Sequence, residues 1–200
     1  AVSGLLSRAI EAGIETDYIR ELLRRRWIPR PAGAISQRAW LWPVTIRALG
    51  GFEVHVDGQP LARGRKAPHR LLDCLRAIIA LGGTHVATAD LIDALWPDVD
   101  GDTGRENLDK TLQRLRRLLG HGRVITTRGG TVSIDTDLCW VDALAFESAD
   151  AAHPAEAQAA LALYRGPLFD GLLLDPWELS ARERLAARAR ALAARAITAR

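Results

Sequence analysis

The feature that most constrains the fold is the run Arg105-Glu-Asn-Leu-Asp-Lys-Thr-Leu-Gln-Arg-Leu-Arg-Arg-Leu-Leu119. At 100° per residue its leucines fall in one narrow stripe, as in a helix that packs on a core. The far side is polar and mostly basic, with Lys110, Gln113, Arg114 and Arg117 outward and Asn107 and Thr111 on one flank. Residues 105–128 hold seven basic and two acidic groups, although the whole chain has a net charge of only +3. An ordinary amphipathic surface helix has the same two faces, so the neighbouring elements must distinguish the interpretations.

The order of elements around this helix narrows the fold class. Residues 44–61 alternate apolar and polar side chains between glycine turns, which predicts a small antiparallel sheet. Two apolar helices follow, one over 68–83 and one that Thr88 is expected to cap. Behind the basic helix, residues 124–134 alternate around a glycine pair and predict a tight hairpin. The sequence therefore predicts an α+β winged helix-turn-helix: an amino-terminal antiparallel sheet, three helices and a carboxyl-terminal β-hairpin wing.

The flanking segments predict the domain organisation. We expect residues 1–28 to be the helical tail of an upstream domain and residues 29–43 to be a linker. Residues 44–138 form the predicted winged helix, and 139–200 a partial all-α, helical-repeat-like domain. Its helices are predicted near 141–151, 154–165 and 178–198. The chain contains no Met, so we expect it to be a piece of a larger protein.

Several functional classes lack support in the sequence. No apolar run has the length of a membrane span, and the sequence shows no signal-peptide pattern, so we expect a cytoplasmic protein without a membrane partner. Cys74 and Cys139 have neither disulfide nor metal spacing, and Cys74 lies among leucines, which predicts a buried thiol. Asp98, Asp100 and Asp102 alternate as in a calcium loop, but the twelfth position holds Asp109 instead of glutamate. We predict no catalytic group, no cofactor and no metal.

Five segments carry a family resemblance. They are Ala48-Leu-Gly-Gly-Phe-Glu-Val54, Leu95-Trp-Pro-Asp98, Leu112-Gln-Arg-Leu-Arg-Arg-Leu-Leu-Gly120, Cys139-Trp-Val-Asp142 and Ala162-Leu-Ala-Leu-Tyr-Arg-Gly-Pro167. In matching order over residues 44–185, they resemble the antibiotic-regulatory-protein class of bacterial transcriptional activators. In that class a winged helix of the response-regulator type precedes a helical bacterial transcriptional activation domain, which usually has several helix pairs. Only about sixty residues remain here for that domain. Residues 11–20 and 40–43 resemble the junction in large signal-sensing regulators that carry this module at their carboxyl end.

The resemblance implies a nucleic-acid interface on the third helix, which lies in the major groove in the family. The positions that would face the bases are Asn107, Lys110, Thr111 and Arg114. The positions that would contact phosphates are Arg105, Gln113, Arg116 and Arg117, with Arg128 at the tip of the wing. Relatives touch RNA polymerase through the loop before the third helix, which here is Asp98–Gly104 with Asp98, Asp100 and Asp102.

Structural alternatives stand beside these roles. Lys110 can pair with Glu106 one helical turn away, and Arg116 lies close enough to the leucine stripe for a structural role. Arg128 can be a polar residue of an exposed turn. The aspartate loop can be a solvated turn or a helix cap, and the tryptophans at 96, 140 and 177 are better suited to packing than to stacking on bases.

The basic helix, the order of elements and the resemblance together favour a module that binds double-stranded DNA sequence-specifically. The resemblance further implies binding at promoter repeats, as a dimer or as tandem copies, and recruitment of RNA polymerase. The alternative is a winged helix that serves as a protein-interaction module of a signalling assembly, without specific DNA binding. The local basic excess favours DNA, because a protein-docking wing has no need of it.

Overall fold

The computed structural model describes residues 2–25, 40–61, 69–172 and 175–198. Its strands are β1 (Val44–Arg47), β2 (Glu53–Val56), β3 (Gln59–Pro60), β4 (Val86–Ala87), β5 (Ile125–Arg128), β6 (Thr131–Ile134) and β7 (Cys139–Val141). Its helices are α1 (Val2–Glu11), α2 (Thr16–Arg25), α3 (His69–Ala80), α4 (Thr88–Leu95), α5 (Gly101–Leu118), α6 (Asp142–Ser148), α7 (Pro154–Leu161) and α8 (Pro176–Thr198). This is a mixed architecture of two small sheets and several helices, consistent with a winged-helix fold followed by a helical region.

The helix pair α1–α2 is present where the sequence predicts it. Leu6 and Ile19 pack with Trp40 and Trp42 in an apolar cluster of their own. Residues 29–39 of the predicted linker lie outside the described residues, whereas Trp40 and Trp42 are buried. The end of the predicted linker is therefore a packed segment that attaches the helix pair to the sheet.

The first sheet is mixed, so the prediction of a purely antiparallel sheet is wrong. Its strand order is β3-β2-β1-β7, and β1 pairs antiparallel with β2 but parallel with β7. Residues 139–141 were expected in the helical region, because the pattern of so short a strand is weak. One apolar core includes side chains from before and after residue 138, such as Leu75 on α3 and Leu185 on α8. The division into domains remains a prediction, since shared packing does not say which part folds alone.

The second sheet joins the three central helices to the predicted hairpin. β6 lies between β4 and β5, which makes a three-stranded sheet. The helix α4 begins directly after β4, at Thr88, and Ala87 occupies the capping position without a side-chain hydrogen bond. The expected Thr88 cap is therefore wrong, because the preceding residue is already held in the strand and Thr88 itself starts the helix. Thr88 N donates to the carbonyl of Gly130 in the hairpin turn.

The carboxyl-terminal helices are present but α6 and α7 end earlier than predicted. The predicted spans 141–151 and 154–165 correspond to Asp142–Ser148 and Pro154–Leu161. The long helix α8 packs against α3 and α7, and its Ala181 and Leu185 are buried in the common core. Within the described chain, no helix combines the length and apolar character needed to cross a membrane.

Candidate nucleic-acid interface

The helix α5 presents the predicted interface because its other face is fixed in the core. Leu108, Leu112 and Leu115 are buried within the helix, and Leu119 is buried at its end, which confirms the leucine stripe. The Asp100 side chain accepts a hydrogen bond from Thr103 N at 3.0 Å and so caps the helix. With one face anchored and the first turn capped, the polar side chains project from a rigid helix.

The four positions that the resemblance assigns to base contacts come together on one side of α5. They are spaced at i, i+3, i+4 and i+7, and they line a concave surface that encloses a volume of about 480 Å³. These residues are Asn107, Lys110, Thr111 and Arg114. His69 and Arg70 from the first turn of α3, together with Leu71 and Trp96, line the rest of this surface. The contribution of α3 was not predicted, because nothing in the sequence indicates that its first turn faces this flank of α5.

Lys110 takes part in an ion pair as well. Its Nζ lies 3.0 Å from Glu106 Oε2, and both side chains are more than two-thirds exposed. A pair as exposed as this contributes little stability, because water and salt screen it. Lys110 can therefore leave Glu106 at little cost, and the structure is compatible both with this ion pair and with a contact to a base.

The candidate phosphate contacts divide into two groups. Arg105, Gln113 and Arg117 are exposed on α5. Arg116 instead donates from Nε to the carbonyl of Ile125 at 2.7 Å and from Nη2 to Thr127 Oγ1 at 2.8 Å. These bonds join α5 to β5, so the contacts favour the structural alternative for Arg116.

The wing turns through two glycines. Gly129 and Gly130 have φ of 54° and 75°, the left-handed conformation that a tight two-residue hairpin turn requires. Arg128 is the last residue of β5, where it pairs with Thr131, and its side chain is exposed. It therefore stands beside the turn and not within it, at the projecting end of the hairpin.

The aspartate loop is shorter than predicted. The helix α5 begins at Gly101, so Asp102 and Gly104 belong to its first turns and only Asp98 and Asp100 remain before it. All three aspartates are exposed. The hydrogen bond from the Thr103 amide lowers the pKa of Asp100, which favours the capping alternative for this residue. The carboxylate of Asp100 also suits the positive end of the helix dipole.

Three of the segments that carry the family resemblance meet around Asp142. Asp142 is buried, and its carboxylate accepts hydrogen bonds from the amides of Ala48, Leu49 and Ala143. Arg165 Nη2 lies 3.4 Å from Asp142 Oδ2. The segment that follows Arg165 pairs with the turn after β1, where Gly50 N donates to the carbonyl of Pro167. The contact among these segments was not predictable from the sequence, because they are separated by more than ninety residues at their widest.

Two arginines of the carboxyl-terminal helix α8 contact the end of α6, and one of them also contacts the end of α3 in the winged helix. Arg184 donates to Glu147 Oε1 at 2.7 Å and to the carbonyl of Ala80, the last residue of α3. Arg188 donates to the carbonyls of Phe146 and Ala149 at the end of α6. Arginines at helix carboxyl ends satisfy free carbonyls and complement the helix dipole.

Neither cysteine is placed for reactivity. Cys74 and Cys139 are both buried, which confirms the buried thiol expected at Cys74. Burial raises the pKa of Cys74 to about 12, and it also raises the pKa of Cys139. Among the residues that the structure describes, no three His, Cys, Asp or Glu side chains are grouped so as to hold a metal ion.

The fold and this basic helix define the coarse class, a winged-helix-like arrangement with a helical region attached. No protein-family model matches the chain, and no curated protein matches it. Among solved structures, the chain is similar to Mycobacterium tuberculosis EmbR in complex with a low-affinity phosphopeptide, with 22% sequence identity and a TM-score of 0.50. The match covers 78% of this chain and 43% of that one, so this chain corresponds to less than half of EmbR. At this identity, the similarity shows a shared fold.

Proposed function

We propose that this chain is a sequence-specific double-stranded DNA-binding module of a bacterial transcriptional activator. The observation that carries the proposal is the anchored helix α5, on which Asn107, Lys110, Thr111 and Arg114 share one concave, basic surface. Arginine and lysine pair with guanine edges and asparagine with adenine, so these side chains suit the major groove. The fold shared with EmbR, a regulator of the antibiotic-regulatory-protein type, supports the same class.

Phosphate contacts would fix the register of α5 on the duplex. Arg105, Gln113 and Arg117 are exposed on the same helix, and Arg128 projects from the hairpin beside it. Such contacts supply affinity without sequence information, whereas the base-facing side chains supply specificity. Arg116 would serve indirectly, because it holds the hairpin against the helix.

Recruitment of RNA polymerase is the second part of the proposal. Asp98, Asp100 and Asp102 form an exposed acidic surface at the start of α5, next to the proposed DNA face. An acidic surface there suits a basic partner that approaches along the promoter. Dimers or tandem copies on direct repeats, and the absence of any catalytic step, are parts of the same proposal.

The test is selection of genomic fragments with the purified chain, followed by binding to the enriched site at two salt concentrations. We expect a repeated motif, and an affinity that falls steeply with salt because counterions are released from the phosphates. Half-site spacing in that motif would report how copies are arranged. If no fragment is enriched and binding to DNA does not depend on salt, the protein-interaction module is the better assignment.

A further inference from the structure

The concave surface beside α5 has two walls, and the proposed function uses only one of them. One wall is the stripe of α5 that carries the four proposed base contacts. The other wall is the start of α3, where His69 and Arg70 line the surface and are both exposed. The second wall therefore needs a role of its own.

This surface is basic on both walls. Eight described residues line it, and none of them is acidic. Arg70 contributes a positive charge on the α3 side, and Lys110 and Arg114 contribute positive charges on the α5 side. A cleft lined by charges of one sign concentrates ions of the opposite sign. The occupant that this surface favours is therefore an anion.

The guanidinium of Arg70 is held in place without losing its charge. Its Nη1 donates to the carbonyl of Leu95, the last residue of α4, at 3.2 Å. Within the described part of the chain, this carbonyl is its only polar partner, so no carboxylate neutralises it. A guanidinium has five N–H donors, and most of those of Arg70 remain free for an anion.

The hairpin and α3 stand on opposite sides of α5. At 100° per residue, Arg116 lies about half a turn from the stripe, and its bonds to Ile125 and Thr127 hold the hairpin on that side. A helix with its side chains is about 10–12 Å across, and the major groove is about 12 Å wide. When α5 fills the groove, its two neighbours therefore meet the two sugar–phosphate backbones that border the groove.

We propose that Arg70 and His69 contact the phosphates of the backbone on the α3 side of α5, an inference that rests on the proposed DNA binding. The free N–H groups of Arg70 bind phosphate oxygens, and the His69 ring supplies a further N–H. Such contacts add affinity and orient α5, but they do not distinguish bases. The duplex is then held on both sides of α5, by Arg70 at α3 and by Arg128 on the hairpin.

The test is the salt dependence of affinity for the selected DNA site, measured with this chain and four variants. Arg70→Gln removes the charge, Arg70→Lys keeps it, and His69→Ala removes the ring. Arg190→Gln, on the exposed face of α8, is the matched control. Thermal unfolding of each variant measures separately what the bond to Leu95 contributes to stability.

We expect Arg70→Gln to lower the salt slope by about 1, because one phosphate contact is lost. Arg70→Lys and Arg190→Gln should keep the slope of the parent chain. His69→Ala should weaken binding to the selected site and to random DNA by the same factor, about threefold. His69 forms no hydrogen bond with the described residues, so its variant tests the proposal even if the Arg70 variants do not fold.

The outcomes separate this inference from the proposed function. An unchanged salt slope in Arg70→Gln would overturn the inference and leave the role of α5 intact, whether or not stability falls. Unchanged affinity in His69→Ala, or an altered base preference in Arg70→Gln, would overturn it as well. If the parent chain itself binds DNA without salt dependence, the proposed function fails and this inference fails with it.

Discussion

Arg76 on α3 and Glu178 on α8 form a buried ion pair, with 3.3 Å between Arg76 Nε and Glu178 Oε1. The Arg76 guanidinium also lies over the ring of Phe169, 5.8 Å from its centre. Burial raises the pKa of Glu178, although a hydrogen bond from Asp175 N and the charge of Arg76 oppose that rise. The pair thus joins the first helix of the winged helix to the last helix of the chain.

Removal of one partner of this pair should destabilise the fold. In Glu178→Ala, the Arg76 charge stays buried with only Asp73 and the more distant Asp175 near it. We expect a loss of about 1–3 kcal/mol in the free energy of unfolding, less than for a buried charge left without any partner, because Asp73 and Asp175 still pair with Arg76. Urea unfolding measures this, with Glu183→Ala on the exposed face of α8 as the control. Equal stability of the two variants would contradict the role given to the pair.

Close packing of α4 on α5 should make Gly104 difficult to replace. A Cβ built at Gly104 would lie 2.5 Å from the methyl carbon Cγ2 of Ile92. The branched Cβ of isoleucine restricts rotation about χ1, so this methyl group cannot easily move away. We expect Gly104→Ala to cost about 1–3 kcal/mol of stability through overpacking, more than the gain of about 1 kcal/mol in helix propensity. Gly101→Ala, where a Cβ meets nothing within 4 Å, is the matched control and should be neutral or stabilising. Thermal unfolding of both variants would distinguish the two sites.

Base discrimination is the property expected of Arg114. Arg114→Ala should weaken binding to the selected site by about 1–3 kcal/mol and relax the preference at one base position. Competition between the selected site and single-base variants of it measures this. An equal loss on the selected site and on random DNA would assign Arg114 to the phosphate backbone instead.

The neighbouring arginines 116 and 117 should behave differently although they adjoin in sequence. Arg116→Ala removes two bonds between α5 and β5, so it should lower stability by about 1 kcal/mol. Arg117→Ala should leave stability unchanged and should reduce the salt slope of DNA binding by about 1. Parallel unfolding and salt titrations of both variants test this division. A lower salt slope for Arg116→Ala with unchanged stability would restore Arg116 to the phosphate contacts.

The helix cap at Asp100 should give stability a dependence on pH. Its pKa is lowered below 3.8 in the folded chain by the hydrogen bond from the Thr103 amide. The stabilisation is therefore present above the unfolded pKa and is lost as pH falls through the lower folded value. Asp100→Asn keeps a capping oxygen but does not titrate. The difference in unfolding midpoint between the parent chain and this variant should shrink between pH 5 and about pH 2. A constant difference would show that Asp100 caps without a charge effect.

Periodicity in the sequence predicted the elements whose packing is local. The leucines of α5, the alternation in β5 and β6, and the glycine pair of the wing each specify their structure within a few residues. The parallel strand β7 escaped prediction, because it has only three residues and its partner β1 lies more than ninety positions earlier. The hydrogen bond between Ala48 and Asp142 was not predicted for the same reason, because 94 positions separate the two residues in the sequence.

The candidate site was predictable in part, because the spacing of side chains along one helix is a local property of the sequence. The four side chains that we propose to face the bases lie on one stripe of α5, as their helical spacing predicts. This spacing did not reveal that Arg116 turns toward β5 or that His69 and Arg70 border the stripe, since both depend on how separate elements pack.

The strand β7 also determines when the first sheet can be completed during synthesis of the chain. On a ribosome, β1 emerges early, but one of its edges has no partner until residues 139–141 have been made. An exposed strand edge can pair with other chains, and such distant pairings form slowly. A chain that stops at residue 138 therefore carries all the elements of the winged helix and still presents an open edge to its neighbours. We expect such a fragment to aggregate where the longer chain does not.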